Sequence, residues 1–410
     1  MRNFITSFRY AIAVFVVVVL AALAWWYFML SAQTHEIALE DASRGSSSET
    51  PSFKSRVGST YENIVTSASS FQREGGSAPE TLGRLAQIST TPTAGAGFVA
   101  EGTSTSVRFV ERSTGYVLEA SVADGSLTRL TNTLLPRTYK AIVGEESILM
   151  QTLEESGVIT TVVGVVSAAS SSETSVFIST KRLPDGIRTI AISPREKEVA
   201  YLRSGESGEV VGVKRDIASG KEKQIFSSLV SGWRLEWLPN GRMMLHQDPS
   251  SDAAGYVYEI LESGVLQPLM RNVRGLTLKA HPSSRALFFG NAESDSLFAR
   301  INDQASTITL PIRTVPEKCV WNPGKNLVAF CAVPQSLSGP QFLDRWYRGE
   351  VHTTDAWWRV DVSAGTAELL YSPGDRALDV EEPVIDASGT YITFLDARDK
   401  SLWLLQVREQ

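Results

Sequence analysis

EWLPNGRMML, residues 236–245, is the stretch on which the reading of the fold turns. An apolar run leads into Pro239-Asn240-Gly241 and another leads out, which is how a tight antiparallel hairpin is written in sequence. Shifted by one residue, WLPNGRMMLH (237–246) aligns without a gap on ISPREKEVAY (192–201), AHPSSRALFF (280–289), WNPGKNLVAF (321–330) and IDASGTYITF (385–394). Two looser copies, FVAEGTSTSVRF (98–109) and IVGEESILM (142–150), differ in turn length. The hairpin is therefore one copy of a repeat.

Each copy is followed by a second pair of strand-like runs around its own Gly turn, as in YVLEASVADGSLTRL (116–130), VKRDIASGKEKQIF (213–226), YVYEILESGVLQPL (256–269) and WRVDVSAGTAELLY (358–371). The unit is four antiparallel strands in about 41 to 51 residues, with one longer interval near the end, a propeller-blade period. Seven first hairpins predict an all-β, seven-bladed β-propeller of four-stranded antiparallel blades; six or eight blades fit the spacing less well. The last blade, ending in SLWLLQV (401–407), lacks a fourth strand, and GRLAQIST (83–90) is similar to the fourth strand TRLTNT (128–133) of the first blade. An N-terminal strand is therefore expected to complete the last blade and remove an open sheet edge.

The pattern W-x-P-x-G-K-x-apolar-A-F, followed by an aromatic-x-x-Asp-x-x-x-Gly hairpin, is best written in WNPGKNLVAF and WRVDVSAG. It resembles the TolB-type, WD-like propeller repeat of bacterial envelope proteins over about residues 83–410, although several copies lack the Pro, Asp or Gly. The resemblance implies a binding platform in the cell envelope, and propellers host too many functions for it to imply more.

The first 80 residues bear on location. Tyr10 to Leu30 is 21 residues without a charge, long enough as a helix to cross a hydrocarbon core of about 30 Å. Trp25, Trp26 and Tyr27 gather near its end, where amphipathic rings favour the headgroup boundary. Arg2 and Arg9 precede it and Glu36, Glu40 and Asp41 follow, so the positive-inside bias puts the N-terminus in the cytoplasm and the rest outside. A cleavable secretory signal is the competing reading, although LSA before Gln33 is a poor small-x-small site. The expected organisation is residues 1–32 as a short cytoplasmic segment and single transmembrane helix, 33–82 as a flexible Ser/Gly-rich linker, and 83–410 as the propeller. Within Ser43–Glu80, 20 of 38 residues are Ser, Thr, Gly or Pro, a composition that behaves as a flexible coil.

A net charge of −6 over 410 residues lacks the broad basic footprint of a nucleic-acid binder. Cys319 and Cys331 are the only cysteines and flank a predicted turn at Asn322–Asn326. They read either as a disulfide, permitted in an extracytoplasmic compartment, or as two small buried thiols.

In a propeller, turns inside the hairpins lie on one face, and blade-to-blade and second-to-third-strand connections on the other. Sorted this way, Arg137, Arg182, Arg188, Arg234, Arg274, Arg313 and Arg376 share one rim, each blade-to-blade connection supplying at least one. They read as a positive mouth for an anionic ligand, or as residues bonded to loop carbonyls and neighbouring acids. The same rim carries the one break in the repeat, an insertion at about 334–356, PQSLSGPQFLDRWYRGEVHTTD at its heart. Arg345, Trp346, Tyr347 and Arg348 make it a candidate partner-binding lid, or else a plug packed over the channel.

Catalytic signatures are sparse. His246 occupies a slot filled by Tyr or Phe in the other well-aligned copies, so it is expected in the core; His35 is juxtamembrane, His281 is in a turn, and only His352, in the insertion, is placed for chemistry. There is no G-x-S-x-G, H-E-x-x-H, P-loop or paired-Cys metal motif, and no cofactor or metal is expected. The leading expectation is a noncatalytic binding or scaffold protein that takes an envelope protein, a peptide or an anionic polymer at the Arg-rimmed mouth. The alternative is a hydrolase or lyase acting on acidic glycans there, which requires convergent carboxylates, or a carboxylate with His352.

Overall fold

Alternating apolar residues in short runs between Gly turns pair with their chain neighbours before anything more distant, and the result is seven sheets of four antiparallel strands. The computed structural model describes residues 83–101, 104–167, 177–302, 306–324, 326–336 and 342–408. The expected anchor over 10–30 and linker over 33–82 lie outside the described residues. Among the described residues no helix is long and apolar enough to cross a membrane.

Strand β1 (Leu85–Ser89) precedes the first blade, which holds β2–β5 (Thr93–Glu101, Ser104–Glu111, Val117–Ser121, Leu127–Arg129). Blade 2 holds β6–β9 (Thr138–Val143, Ser147–Leu153, Ile159–Ser167, Phe177–Arg182) and blade 3 β10–β13 (Ile190–Ile192, Glu198–Ser204, Val210–Asp216, Glu222–Ser228). Blade 4 is β14–β17 (Trp233–Trp237, Met243–Gln247, Ala254–Ile260, Leu266–Arg274) and blade 5 β18–β21 (Thr277–Ala280, Leu287–Asn291, Ser294–Arg300, Ile308–Arg313). Blade 6 is β22–β25 (Cys319–Trp321, Val328–Pro334, Asp355–Asp361, Thr366–Tyr371). In blade 7, β26–β28 (Val380–Ile385, Tyr391–Asp396, Leu402–Gln406) are joined by β1, which pairs antiparallel with β28. The architecture is the seven-bladed propeller that the repeat predicts, closed by the N-terminal strand.

First strands of neighbouring blades approach one another, β2 with β6, β10 with β14 and β22 with β26, so they line the inside of the ring; contact of β26 with β2 completes it. The approach of β2 to β6 is close enough that a Cβ on Gly95 would sit 2.1 Å from the Ala141 carbonyl oxygen, so only glycine fits there. Apolar side chains fill the wedges between blades. Phe288, Leu297 and Leu310 of blade 5 meet Trp321 and Val360 of blade 6, and Ile88, Leu402 and Leu404 of blade 7 meet Val107 and Phe109 of blade 1.

The Pro239-Asn240-Gly241 turn joins β14 to β15, with Gly241 at φ 86° and its N–H donating to Leu238 O at 2.8 Å. Asn240 N–H reaches Pro282 O in the matching turn of blade 5 at 3.1 Å. The matching turn of blade 3 does the same with a side chain: Glu196 accepts from the N–H groups of Glu145, Glu146 and Ser147 in blade 2 at 2.7–2.9 Å. First-hairpin turns thus link around the face opposite the rim. His281, 0% exposed, organises its own turn by accepting the Ser283 and Ser284 N–H groups on Nδ1, both at 3.1 Å.

His246 is buried in blade 4, where enclosure lowers its pKa and favours the neutral ring. Cys319 and Cys331 face each other in register across β22 and β23, and their sulfurs are bonded at 2.12 Å.

Trp321 stacks on Phe288 with ring centroids 3.9 Å apart and planes 6° from parallel, bridging blades 5 and 6. Trp321→Ala is expected to cost roughly 3–5 kcal/mol, since the ring is sealed inside a wedge whose walls belong to a closed circle and cannot collapse freely. A chemical-denaturation midpoint measures the loss, and a change under about 1 kcal/mol contradicts the assigned packing.

Candidate functional site

The break in the repeat falls between Pro334, the end of β23, and Asp355, the start of β24, as the spacing predicts. Residues Phe342–Tyr347 form a short helix, α1, which the sequence analysis leaves as loop. One turn of helix has little stability of its own, and its place is set by contacts at both ends.

A buried cation does most of this. Lys318 lies in a 3-10 turn (Pro316–Lys318) that packs against β18 and β26, the first strands of the blades on either side. Its side chain is 0% exposed. Nζ donates to Asp355 Oδ2 at 2.5 Å, Asp379 Oδ1 at 2.6 Å, Thr353 Oγ1 at 2.9 Å and Val380 O at 3.1 Å, and it sits 4.9 Å from the centre of the Trp346 ring. Asp379 in turn accepts from Trp346 Nε1 (3.1 Å) and Thr353 Oγ1 (2.8 Å), and its Oδ2 lies 3.0 Å from His352 Nδ1. Arg398, from the β27–β28 connection, donates to Thr353 O at 2.6 Å. The insertion is held by residues of blades 6 and 7.

Burial by itself raises the Asp379 carboxyl, but the charge of Lys318 and hydrogen bonds from Lys318, Trp346 and Thr353 outweigh it and hold the pKa at about 2. At Asp355 burial dominates and pushes the carboxyl above its ordinary value despite Lys318. The ammonium lies almost equally near both carboxylates, so they differ in the further bonds that Asp379 accepts, while Asp355 Oδ1 has no hydrogen-bond partner among the described residues.

The other end of α1 reaches blade 4. Asp344 Oδ1 accepts the Ser251 N–H at 3.0 Å, and the Tyr347 hydroxyl donates to Glu317. Arg234, on β14, lies over the Tyr347 ring at 5.7 Å and pairs with Asp248. The Arg234 side chain is 41% exposed yet enclosed strongly enough to oppose its charge; Asp248 and Tyr347 more than restore it. Enclosure also raises the Glu317 carboxyl, and its Oε2 has no partner among the described residues. Glu382, at φ 49° in an irregular part of β26, is likewise exposed, and its carboxyl is raised by enclosure and by the charge of Glu381. Glu381 pairs with Lys400 rather than converging on Glu382.

The remaining rim arginines are dispersed, mostly onto their own surroundings. Arg137 meets Glu155 at 3.5 Å, Arg182 meets Asp185 at 2.8 Å, and Arg274 donates to Ser251 O at 3.0 Å. Arg376 lies over Trp403, Arg345 and Arg348 both pair with Glu350, Arg188 is also engaged, and Arg313 ends β21 exposed. Trp346, expected either as an exposed anchor of a lid or inside a packed plug, is 3% exposed and sits with Val315 and Phe342 in a small core of its own. Of the two candidate sets, the structure brings together Arg234 and Tyr347. It adds Glu317, Lys318, Asp355 and Asp379 as organising groups, and nothing in the spacing marks Lys318 as buried. Among the described residues no group of three or more His, Cys, Asp or Glu is placed to hold a metal ion.

No protein-family model matches the chain, and no curated protein matches it. Among solved structures it is similar to oligogalacturonate lyase from Vibrio parahaemolyticus, with a TM-score of 0.54 and 10% identity over 79% of this chain and 94% of that one. The propeller domain of the Trilobed protease from Pyrococcus furiosus gives 0.48 and 10% over 77% and 98%, and TolB from Acinetobacter baumannii 0.40 and 14% over 77% and 79%. At these identities the likeness shows the propeller fold alone.

The folded pKa of Asp379 lies below its ordinary 3.8, so its contribution to stability is complete above about pH 4 and is lost as pH falls through 2. Asp355, raised in the fold, has the opposite sign and costs stability once pH exceeds its ordinary value. Lys318→Ala, which leaves two buried carboxylates without their cation, is expected to cost roughly 3–5 kcal/mol at pH 7. Asp379→Asn costs more than Asp355→Asn at that pH, and it flattens the fall in stability between pH 4 and 2. Urea midpoints across that range decide; equal costs for the two aspartates contradict the opposite directions in which the fold moves their carboxyls.

Proposed function

We propose that the protein is a membrane-anchored, extracytoplasmic recognition propeller whose rim, around Arg234, Tyr347 and Glu317, receives an envelope protein, a peptide or an anionic polymer without transforming it. The observation that carries this reading is that the described part of the insertion is bonded at both ends to neighbouring blades. Lys318 and its carboxylates fix one end of the insertion, and Arg234, Ser251 and Glu317 meet the other. A buried charge network is a costly way to gain stability, but it is an effective way to hold a small set of polar groups in one geometry before a partner arrives.

The placement of the chain agrees with the proposed location. Gly83 enters β1 from the face of the hairpin turns, opposite the insertion, because β1 runs antiparallel to β28. The bond between Cys319 and Cys331 suits an oxidising compartment.

A second reading is favoured by one contact. His352 Nδ1 beside Asp379 Oδ2 is the carboxylate–imidazole pair that an enzyme acting on acidic glycans requires, and His352 is 37% exposed. Against it, Asp379 is already bonded by Lys318, Trp346 and Thr353, the pattern of a positioning group.

Titration of the full chain with fluorescein-labelled polygalacturonate and polyglutamate, with and without Arg234→Gln and Tyr347→Phe, tests the anionic-polymer form. Capture of envelope proteins by the same variants tests the protein form. Arg234→Gln is expected to weaken whichever ligand binds by roughly tenfold, the worth of one charge-assisted bond. If neither variant changes any binding, the rim site is wrong. If wild type cleaves polygalacturonate and His352→Ala does not, the enzymatic reading replaces it.

A further inference from the structure

A cleft of about 500 Å³ lies between blades 4 and 5, within the size range of small-ligand pockets, and Arg274 of the rim set is among its lining residues. Its floor is apolar: Met270 from β17 and the stacked pair Phe289 and Phe298 from β19 and β20, ring centroids 5.3 Å apart. One wall is cationic. Arg300 lies over Phe289 at 5.6 Å and donates through Nη1 to Leu269 O at 3.3 Å, while its buried Nε has no acceptor among the described residues. A buried guanidinium N–H without an acceptor is costly to leave so, and a small rotation toward the cleft offers it to an incoming anion.

The backbone beside the cleft is also irregular. β17 is the outer edge strand of blade 4, and its register with β16 slips between the Gly255–Val273 and Val257–Met270 pairs, so that Arg271 and Asn272 stand opposite one residue. Asn272 adopts φ 59° in that bulge and turns its amide to the cleft margin. Bulges re-aim side chains next to binding sites, and an edge strand offers unpaired main-chain groups to an extended segment.

We infer that this cleft is a second binding site, lined by none of Arg234, Tyr347 and Glu317, for the C-terminus of a peptide ending in an apolar residue. The terminal side chain rests on Phe289, Phe298 and Met270, the carboxylate meets Arg300, and Asn272 with the β17 edge takes the preceding peptide group. Glu293, exposed at the margin, is the one acid among the lining residues and disfavours the carboxylate.

The test is an equilibrium titration of the full chain in lipid nanodiscs with N-acetyl-Ala-Phe as the free acid and as its C-terminal amide. The acid is expected to bind at least about tenfold more tightly than the amide. Arg300→Gln brings the acid down to the amide's affinity. Because Arg300 is partly internal, Glu293→Gln gives an independent reading on a surface residue: the acid tightens a few-fold and the amide does not. Arg195→Gln, on the opposite face, makes the same one-unit charge change as Arg300→Gln and leaves both titrations unchanged. Absence of binding by the acid, equal affinity for acid and amide, or an acid affinity that ignores both Arg300→Gln and Glu293→Gln overturns the assignment.

Discussion

The pairing of β1 with β28 is the constraint from which the rest follows. A propeller blade is a small sheet with two apolar faces, and it is stable only between two neighbours. An open arc of blades leaves its first and last wedges wet and its last sheet one strand short, with an unpaired edge. Leu85, Ala86 and Gln87 opposite Leu405, Leu404 and Trp403 supply that strand, and Ile88 joins the cluster that seals blade 7 onto blade 1. Once the circle is closed, each first strand has a fixed distance from the next. That is why Gly95 has no room for a side chain and why the loops of one rim converge.

Convergence makes the mouth possible without making it specific. Seven similar blades produce seven similar connections, and most rim arginines settle onto acids or carbonyls of their own surroundings. Asymmetry enters through the insertion of blade 6. Its helix is too short to be stable alone, so its position depends on an internal salt bridge on one side and on a tyrosine, an arginine and two carboxylates on the other. The buried Lys318 has two anionic partners at nearly equal distance, and one of them, Asp379, also accepts from Trp346 and Thr353. Such a network favours a single arrangement of the segment more than it favours the folded state as a whole.

Much of the fold was legible in sequence because the repeat multiplies a weak signal. A single Pro-Asn-Gly turn is an ordinary hairpin, but five ungapped copies set a register that counts blades, locates the insertion and moves His246 inside. The site was legible only in part. Arg234 and Tyr347 were both candidates, yet nothing in the spacing joined them, since they are 113 positions apart and meet through the curvature of the ring. Lys318 was missed, and the sequence left Trp346 open between lid and plug, because composition places charged residues outside, whereas both are internal here and pack against each other.

By itself, then, the sequence determined what depends on local pattern: strand alternation, turn chemistry, the number of blades, the strand that completes the last one, and the single place where periodicity fails. Tertiary structure alone decided which polar groups became neighbours, which two carboxylates meet the buried ammonium, which arginine faces the insertion, and where a cleft opens between blades. Those outcomes rest on distances of a few ångströms between residues far apart in the chain. Such distances are set by ring closure and by the cost of burying charge, and no local pattern encodes them.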